Sequence, residues 1–338
     1  MNTIAFVGSD KNAGKTTALN HVYKNLFGQQ NTHTPICVTS IGINGEDVDS
    51  FTGLDKPTIE LKQDSFFVTA RQHLAGLTEY VTTLEMFTGS EFSKEYIFGQ
   101  CQQDLGLVVE GPNSKNEIQL IKQRIEKYLV DGKLLIDGSI DRCFLASPEI
   151  SDGFYFSLYL SQDKEQLTKA RDLLTPLNFP VCDTSVSSLI VNRLDADTRS
   201  LYFNESGELL YHGKQIPFMD DDLKKVCAQQ NGNVGRLYLN GALSRSLYLF
   251  LADFSNLELV LDNFFLYQNV STGQQVSPRF LPRLSLYHPS NVLGIFIRRE
   301  KTVNNGMNDL LAGLPMPSQI PVSDLQKELP YEPDSTRS

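Results

Sequence analysis

The sequence predicts an α/β protein, a three-layer α/β/α arrangement around a mostly parallel sheet, on three observations. Short continuous apolar runs recur through the first half of the chain, the strand type that a sheet covered on both faces requires. Segments with apolar residues at helical spacing follow the first of these runs and separate later ones, as βαβ units demand. The opening run, Thr3-Ile4-Ala5-Phe6-Val7, passes straight into a glycine-bounded loop and then a helix-period segment.

That loop is the most specific feature. It reads Gly8-Ser9-Asp10-Lys11-Asn12-Ala13-Gly14-Lys15-Thr16-Thr17, and a strand, a loop ending Gly-Lys-Thr and a helix together make a phosphate cradle, the P-loop. Backbone N–H groups of residues 10 to 16 would point into it, and the start of the following helix adds unpaired donors and a positive dipole end. Gly8, Asp10, Lys11, Asn12, Ala13, Gly14, Lys15, Thr16 and Thr17 are the expected nucleotide-binding residues. Lys15 would place its charge on the β/γ-phosphates and the Thr16 hydroxyl would ligate Mg²⁺. Gly8 stands one residue early for the usual spacing, so Ser9 holds the standard first-glycine position. Ala18, Leu19, Val22 and Leu26 share one face of the helix, and Gly28 can stop it.

Further strands are expected at Ile36 to Ile41, Thr58 to Leu61, Tyr96 to Phe98, Leu107 to Val109 and Leu134 to Ile136. A helix presenting Ile118, Ile121, Ile125 and Leu129 lies between the last two. From Phe154 the pattern loosens into strands at Phe154 to Leu160, Ser188 to Val191, Gly235 to Leu239, Leu257 to Leu261 and Val292 to Ile297, with a hairpin around Asn204-Glu205-Ser206-Gly207. The expected organisation is a nucleotide-binding core over 1–160, an α/β continuation over 161–330 that can belong to the same domain, and a disordered tail over 331–338.

Composition narrows the classes. Of 338 residues, 41% are hydrophobic and 21% charged, a balance that belongs to globular chains rather than disordered ones. Thirty Lys and Arg against 40 Asp and Glu give a formal net charge of −10, a poor match for nucleic acid or anionic lipid. Five scattered cysteines without a C-x-x-C pair fit reduced thiols in the cytoplasm. The first strand is not preceded by a basic and then apolar leader, and no apolar run approaches about 18 residues. A soluble cytoplasmic protein without membrane or nucleic-acid partners is therefore expected.

Two acids end apolar strands and can serve Mg²⁺ or its water: Glu110 in Leu107-Val108-Val109-Glu110-Gly111, and Asp137 in Leu134-Leu135-Ile136-Asp137-Gly138. Each is followed by a glycine that would let backbone approach a ligand, and each can equally cap the next helix or face solvent. The segment Thr39 to Asp49 carries two glycines and the acids Glu46, Asp47 and Asp49 and suits either a Mg²⁺-sensitive switch or a solvated acidic turn. Lys56-Pro57 can add a cation. Asn192-Arg193-Leu194-Asp195 after an apolar run weakly matches a guanine-reading N-[KR]-x-D pattern. The five histidines lack metal-ligand spacing.

The loop resembles that of the dethiobiotin synthetase and cobyrinate amidotransferase group of P-loop proteins, and Val108-Val109-Glu110-Gly111 is similar to their Val-Glu-Gly segment, whose Glu meets Mg²⁺. That resemblance implies Glu110 as the first metal-facing acid and Asp137 as the second. A fuller resemblance is to the small P-loop subunit of the reactivase for B12-dependent lysine aminomutase. It is carried by Lys11 to Thr17, Thr39-Ser40-Ile41-Gly42 with Gly45-Glu46, Glu110-Gly111-Pro112, Leu135 to Arg142, Gly241-Ala242-Leu243 and Ile320 to Asp324. It implies ATP use together with a larger MutS-like partner subunit to eject damaged cobalamin from a client mutase. Lys11 to Thr17 alone also resemble the GTP-binding molybdenum-cofactor adaptor.

The expected function is that of a Mg²⁺-dependent P-loop NTPase, ATP first and GTP second, whose hydrolysis drives change in a partner complex. Lys15, Glu110 and Asp137 are its expected catalytic residues, and Thr16, Glu110 and Asp137 its expected metal ligands. The alternatives are a ligase that phosphorylates a small carboxylate, with Glu46, Asp47 and Lys56 on substrate, and a non-catalytic nucleotide-binding adaptor.

Overall fold

A computed structural model describes residues 1–10, 13–28, 34–44, 59–138, 145, 147–161, 163–230, 233–270, 283–300, 311 and 313–328. The chain divides into two compact units. The first is Met1–Leu160 with Asn291–Thr302 and Ile320–Ser338, and the second is Ser161–Ser290 with Val303–Gln319. Segment 161–330 is thus shared between them.

The first unit opens with β1 (Asn2–Gly8), α1 (Lys15–Gly28), β2 (Ile36–Ser40), β3 (Gly42–Asn44), β4 (Ile59–Leu61), β5 (Phe66–Ala70), β6 (Val81–Phe87) and β7 (Tyr96–Cys101). It continues through β8 (Leu105–Leu107), β9 (Val109–Gly111), α2 (Lys115–Ile125), β10 (Lys133–Asp137) and β11 (Gly153–Leu160). The second unit holds α3 (Lys164–Leu174), α4 (Thr184–Val191), β12 (Ser200–Asn204), β13 (Leu209–Gly213), α5 (Asp221–Gln229), β14 (Gly235–Leu239), α6 (Arg245–Ala252), β15 (Leu257–Leu261) and β16 (Leu284–Leu286). The chain then returns to the first unit as β17 (Val292–Arg299), β18 (Val322–Asp324) and the short α7 (Leu325–Glu328).

The first unit is built on a nine-stranded sheet in the order β18-β17-β11-β1-β10-β2-β5-β7-β6. Every pairing from β18 to β5 is parallel, and the β5–β7 and β7–β6 pairings are antiparallel. The central strands are apolar along their length because both faces are covered: all five residues of β2 are buried, as are four of the five in β10. Against one face α1 packs Ala18, Leu19, Val22 and Tyr23 onto Ile4, Phe6, Val38, Leu135 and Phe296. Helix α2 begins at Ser114, whose Oγ accepts from the Glu117 N–H and donates to the Glu117 carboxylate, a reciprocal cap, and it buries Ile118, Ile121 and Ile125.

The structure departs from the sequence reading in several places. Leu107 to Val109 is not a strand of the parallel sheet: β8 and β9 flank Val108 and pair antiparallel with β4 and β3 in two small ribbons. The segment at Ser188 to Val191 lies in α4, because Asp183 caps its start by accepting from the Val186 N–H, and an apolar run this short has no periodicity to tell helix from strand. Strands β5 and β6, absent from the reading, extend the sheet on its antiparallel side. The hairpin at Asn204 to Gly207 is present as β12–β13, with Gly207 at φ +83°. Residues 331–338 lie outside the described residues. Among the described residues no helix is long and apolar enough to cross a membrane.

The second unit has its own sheet, β13-β12-β14-β15-β16, in which β14, β15 and β16 run parallel and β12 and β13 antiparallel.

Candidate functional site

The loop between β1 and α1 leaves the middle of the large sheet at its carboxyl edge, where open α/β sheets place ligands. Its backbone is tied down from β11. The Ser9 N–H donates to the Ser157 carbonyl at 2.9 Å, and the Ser9 hydroxyl accepts from the Tyr159 N–H at 3.0 Å. Ser9, where the usual pattern has a glycine, is therefore a buried anchor. Gly14 has φ +87°, a conformation that favours glycine, and a Cβ there would stand 2.6 Å from Leu325 Cδ1, so that side chain would have to move. The first helical bond of α1 runs from the Ala18 N–H to the Gly14 carbonyl at 2.8 Å, which leaves the N–H groups of Lys15, Thr16 and Thr17 outside the helical ladder. Lys15 Nζ donates to the Asp10 carbonyl at 3.0 Å, within its own loop. Lys11 and Asn12 lie outside the described residues.

Beside this loop stands Asp137, at the end of β10 and directly next to β1, where Phe6 pairs with it in register. Its Oδ2 accepts from the Thr16 hydroxyl at 2.7 Å. Asp137 is fully buried and its Oδ1 has no hydrogen-bond partner among the described residues. Burial pushes its carboxyl up to about 6, against the opposing pull of the Thr16 hydrogen bond and the Lys15 charge. A carboxylate with one orphaned oxygen, in hydrogen-bond contact with a threonine at a helix start, is a fit for a hydrated divalent cation. The other ligands would come from water and phosphate, since no three His, Cys, Asp or Glu side chains gather as a metal site among the described residues.

Glu110, expected as the first metal-facing acid, sits elsewhere and is tied up by protein partners. It lies in the middle of β9, opposite Ile43, and is buried. One carboxylate oxygen accepts from Lys94 Nζ; the other takes Gln72 Nε2 at 2.9 Å and His73 Nε2 at 2.6 Å. Burial alone would raise its carboxyl, but the Lys94 and His73 bonds outweigh that and hold it below the usual carboxylate value. Gln72 and His73 belong to the 3-10 turn Arg71–Leu74 after β5, so they share the carboxyl edge with Asp137 but lie beyond β2 from it.

The glycines after the two acids also have a different use from the one expected. A Cβ on Gly138 would collide with the Phe6 carbonyl oxygen, and one on Gly111 with that of Ser40. Neighbouring strands, not a ligand, demand the bare backbone.

Asn192 and Asp195 follow a helix rather than a strand. Asn192 Nδ2 donates to the Ser188 carbonyl at 2.8 Å, while Asp195 bonds the Thr198 hydroxyl at 2.8 Å and pairs with Lys214 at 3.3 Å. Both belong to the second unit, and the guanine-reading pattern is occupied by local turn contacts. Glu46, Asp47, Asp49 and Lys56 lie outside the described residues, as do Ser139 to Arg142.

Sequence reasoning missed Arg298 and Leu325 as neighbours of the loop, and His73, Gln72 and Lys94 as partners of Glu110; no local motif marks any of them. Comparison of the chain with protein-family models, with curated proteins and with solved structures found no match.

Proposed function

We propose that this chain is a Mg²⁺-dependent P-loop NTPase with a three-layer α/β/α core. The observation that carries the reading is the Thr16–Asp137 hydrogen bond beside the Gly14-Lys15 turn, with Asp137 Oδ1 buried and unpartnered. In this reading the N–H groups of Lys15, Thr16 and Thr17 bind phosphate oxygens, and Lys15 exchanges the Asp10 carbonyl for the β/γ-phosphates. Thr16 and Asp137 together hold the ion or its water, and Asp137 does so as the carboxylate. Mg²⁺ bound there supplies charge neutralisation of the transferring phosphoryl group. Ser9 anchors the start of the loop to β11, and catalysis is chiefly positioning and charge stabilisation.

ATP is the favoured nucleotide, because Asn192 and Asp195 are engaged in turn contacts of the second unit. The motif order from Lys11 to Asp324 supports a finer reading. In it the chain acts as a reactivase-type subunit, with a larger partner, on a cobalamin-dependent aminomutase in the cytoplasm. Pairing this chain with a candidate large subunit and an inactivated mutase tests it: ATP-dependent recovery of mutase activity is expected, and ATP-independent recovery contradicts it.

The core proposal is tested by calorimetric titration with non-hydrolysable ATP and GTP analogues, with and without Mg²⁺. Mg²⁺-dependent binding that Lys15→Ala abolishes is expected. Unchanged affinity in Lys15→Ala would remove the loop from the site.

A further inference from the structure

The last part of the first unit returns to the loop from the far side of β11. Strand β17 pairs parallel with β11, and in that register Arg298 stands opposite Tyr159, the residue whose N–H donates to Ser9 Oγ. Side chains two apart on a strand share a face. Phe296 points into the α1 side of the sheet, where its ring meets His21 and Tyr155. Arg298, one step nearer the carboxyl edge on the same face, accordingly reaches the start of α1. Its Cδ and Cβ lie 3.6 and 3.7 Å from where a side chain on Gly14 would begin. Leu325, which follows β18, fills the rest of that space.

We propose that Arg298 is a second phosphate-binding cation of the nucleotide site, its guanidinium donating to oxygens of a di- or triphosphate held at the Gly14 to Thr17 turn. This rests on the P-loop reading above. A guanidinium suits the position because its fork pairs two phosphate oxygens at once, whereas Lys15 acts as a point charge. The aliphatic stem lies along Gly14, so a guanidinium at its end can reach the loop within one side-chain length. The cation comes from a strand that the chain reaches only after passing through the second unit, which makes the complete site a product of both passes through the first.

The test uses the full chain with Arg298→Met, which keeps an apolar stem of similar reach, and Arg298→Lys, which keeps the charge. Binding of AMP, ADP and a non-hydrolysable ATP analogue is measured by calorimetry in Mg²⁺ buffer, with Lys15→Ala alongside and thermal unfolding as the check on fold. Arg298→Met is expected to unfold at the wild-type temperature and to bind ADP and the triphosphate analogue about 10- to 100-fold more weakly, the worth of a charge-assisted hydrogen bond. AMP affinity should change least, and Arg298→Lys should recover part of the loss. Wild-type affinity in Arg298→Met, while Lys15→Ala no longer binds, overturns this inference and leaves the NTPase reading standing. Absence of nucleotide binding by the wild type overturns both.

Discussion

Two buried carboxylates on one sheet edge, Asp137 and Glu110, are treated by the fold in opposite ways. Glu110 is saturated: Lys94, His73 and Gln72 occupy both of its oxygens. Asp137 has, among the described residues, one donor, Thr16, and one oxygen without a partner. The first arrangement lowers the carboxyl below its ordinary value and the second raises it to about 6. A saturated buried acid is a structural tie. An acid left short of donors is a candidate for a ligand, and the Thr16 hydroxyl and Lys15 charge beside Asp137 are what make it the candidate under the proposed function.

The largest effect that can break the comparison is on Mg²⁺-nucleotide affinity. Asp137→Ala is expected to weaken it by more than about 100-fold, the scale of losing a charged ligand, while Glu110→Gln shifts it less than about threefold. Calorimetry reads both, and the reverse ranking returns the metal to Glu110.

The glycine behind each acid gives the next effect. Gly111→Ala must move the Ser40 carbonyl and Gly138→Ala the Phe6 carbonyl. Each should cost about 3 kcal/mol or more by denaturant unfolding, since backbone has to shift. Ordinary stability in Gly111→Ala would mean that β9 does not lie against β2 as described.

The pH dependence separates the two acids by sign. Asp137 is raised on folding, so its contribution is fully present below the unfolded value of about 3.9 and is lost as pH rises through about 6. For the ligand-free protein this amounts to up to roughly 3 kcal/mol, and Asp137→Asn should flatten the stability profile over that window. Glu110 is lowered, so its contribution is present above the unfolded value near about 4.3 and disappears as pH falls through its folded value. Urea unfolding at several pH values distinguishes these windows. A profile that Asp137→Asn leaves unchanged contradicts the burial argument.

The smallest effect is the stability cost of Glu110→Gln, about 1–3 kcal/mol, because a side-chain amide must turn an N–H toward one of three donors.

What the sequence made legible follows from how local each signal is. The β1–loop–α1 unit and β10 announce themselves through continuous apolar runs and the Gly-Lys-Thr ending, since strand, turn and helix start are neighbours in the chain. Strand β6 escapes because Thr82, Thr83 and Met86 are exposed and a register shift between Thr83 and Glu85 breaks any alternation. The roles of the two acids were not legible. Both read as a strand-end acid followed by glycine, yet Glu110 is bound by the turn Arg71–Leu74 and by Lys94, and Asp137 by Thr16 at the start of α1. Arg298 was invisible as a neighbour of Gly14 for the same reason: only the pairing of β17 with β11 brings it to the loop.

The measurement that bears most directly on the account is Mg²⁺-dependent binding of a non-hydrolysable ATP analogue to the wild type and to Asp137→Asn. The account predicts tight binding to the wild type that weakens sharply without Mg²⁺, and affinity for Asp137→Asn that is low and no longer sensitive to Mg²⁺. Equal, Mg²⁺-dependent affinity in both proteins would contradict it.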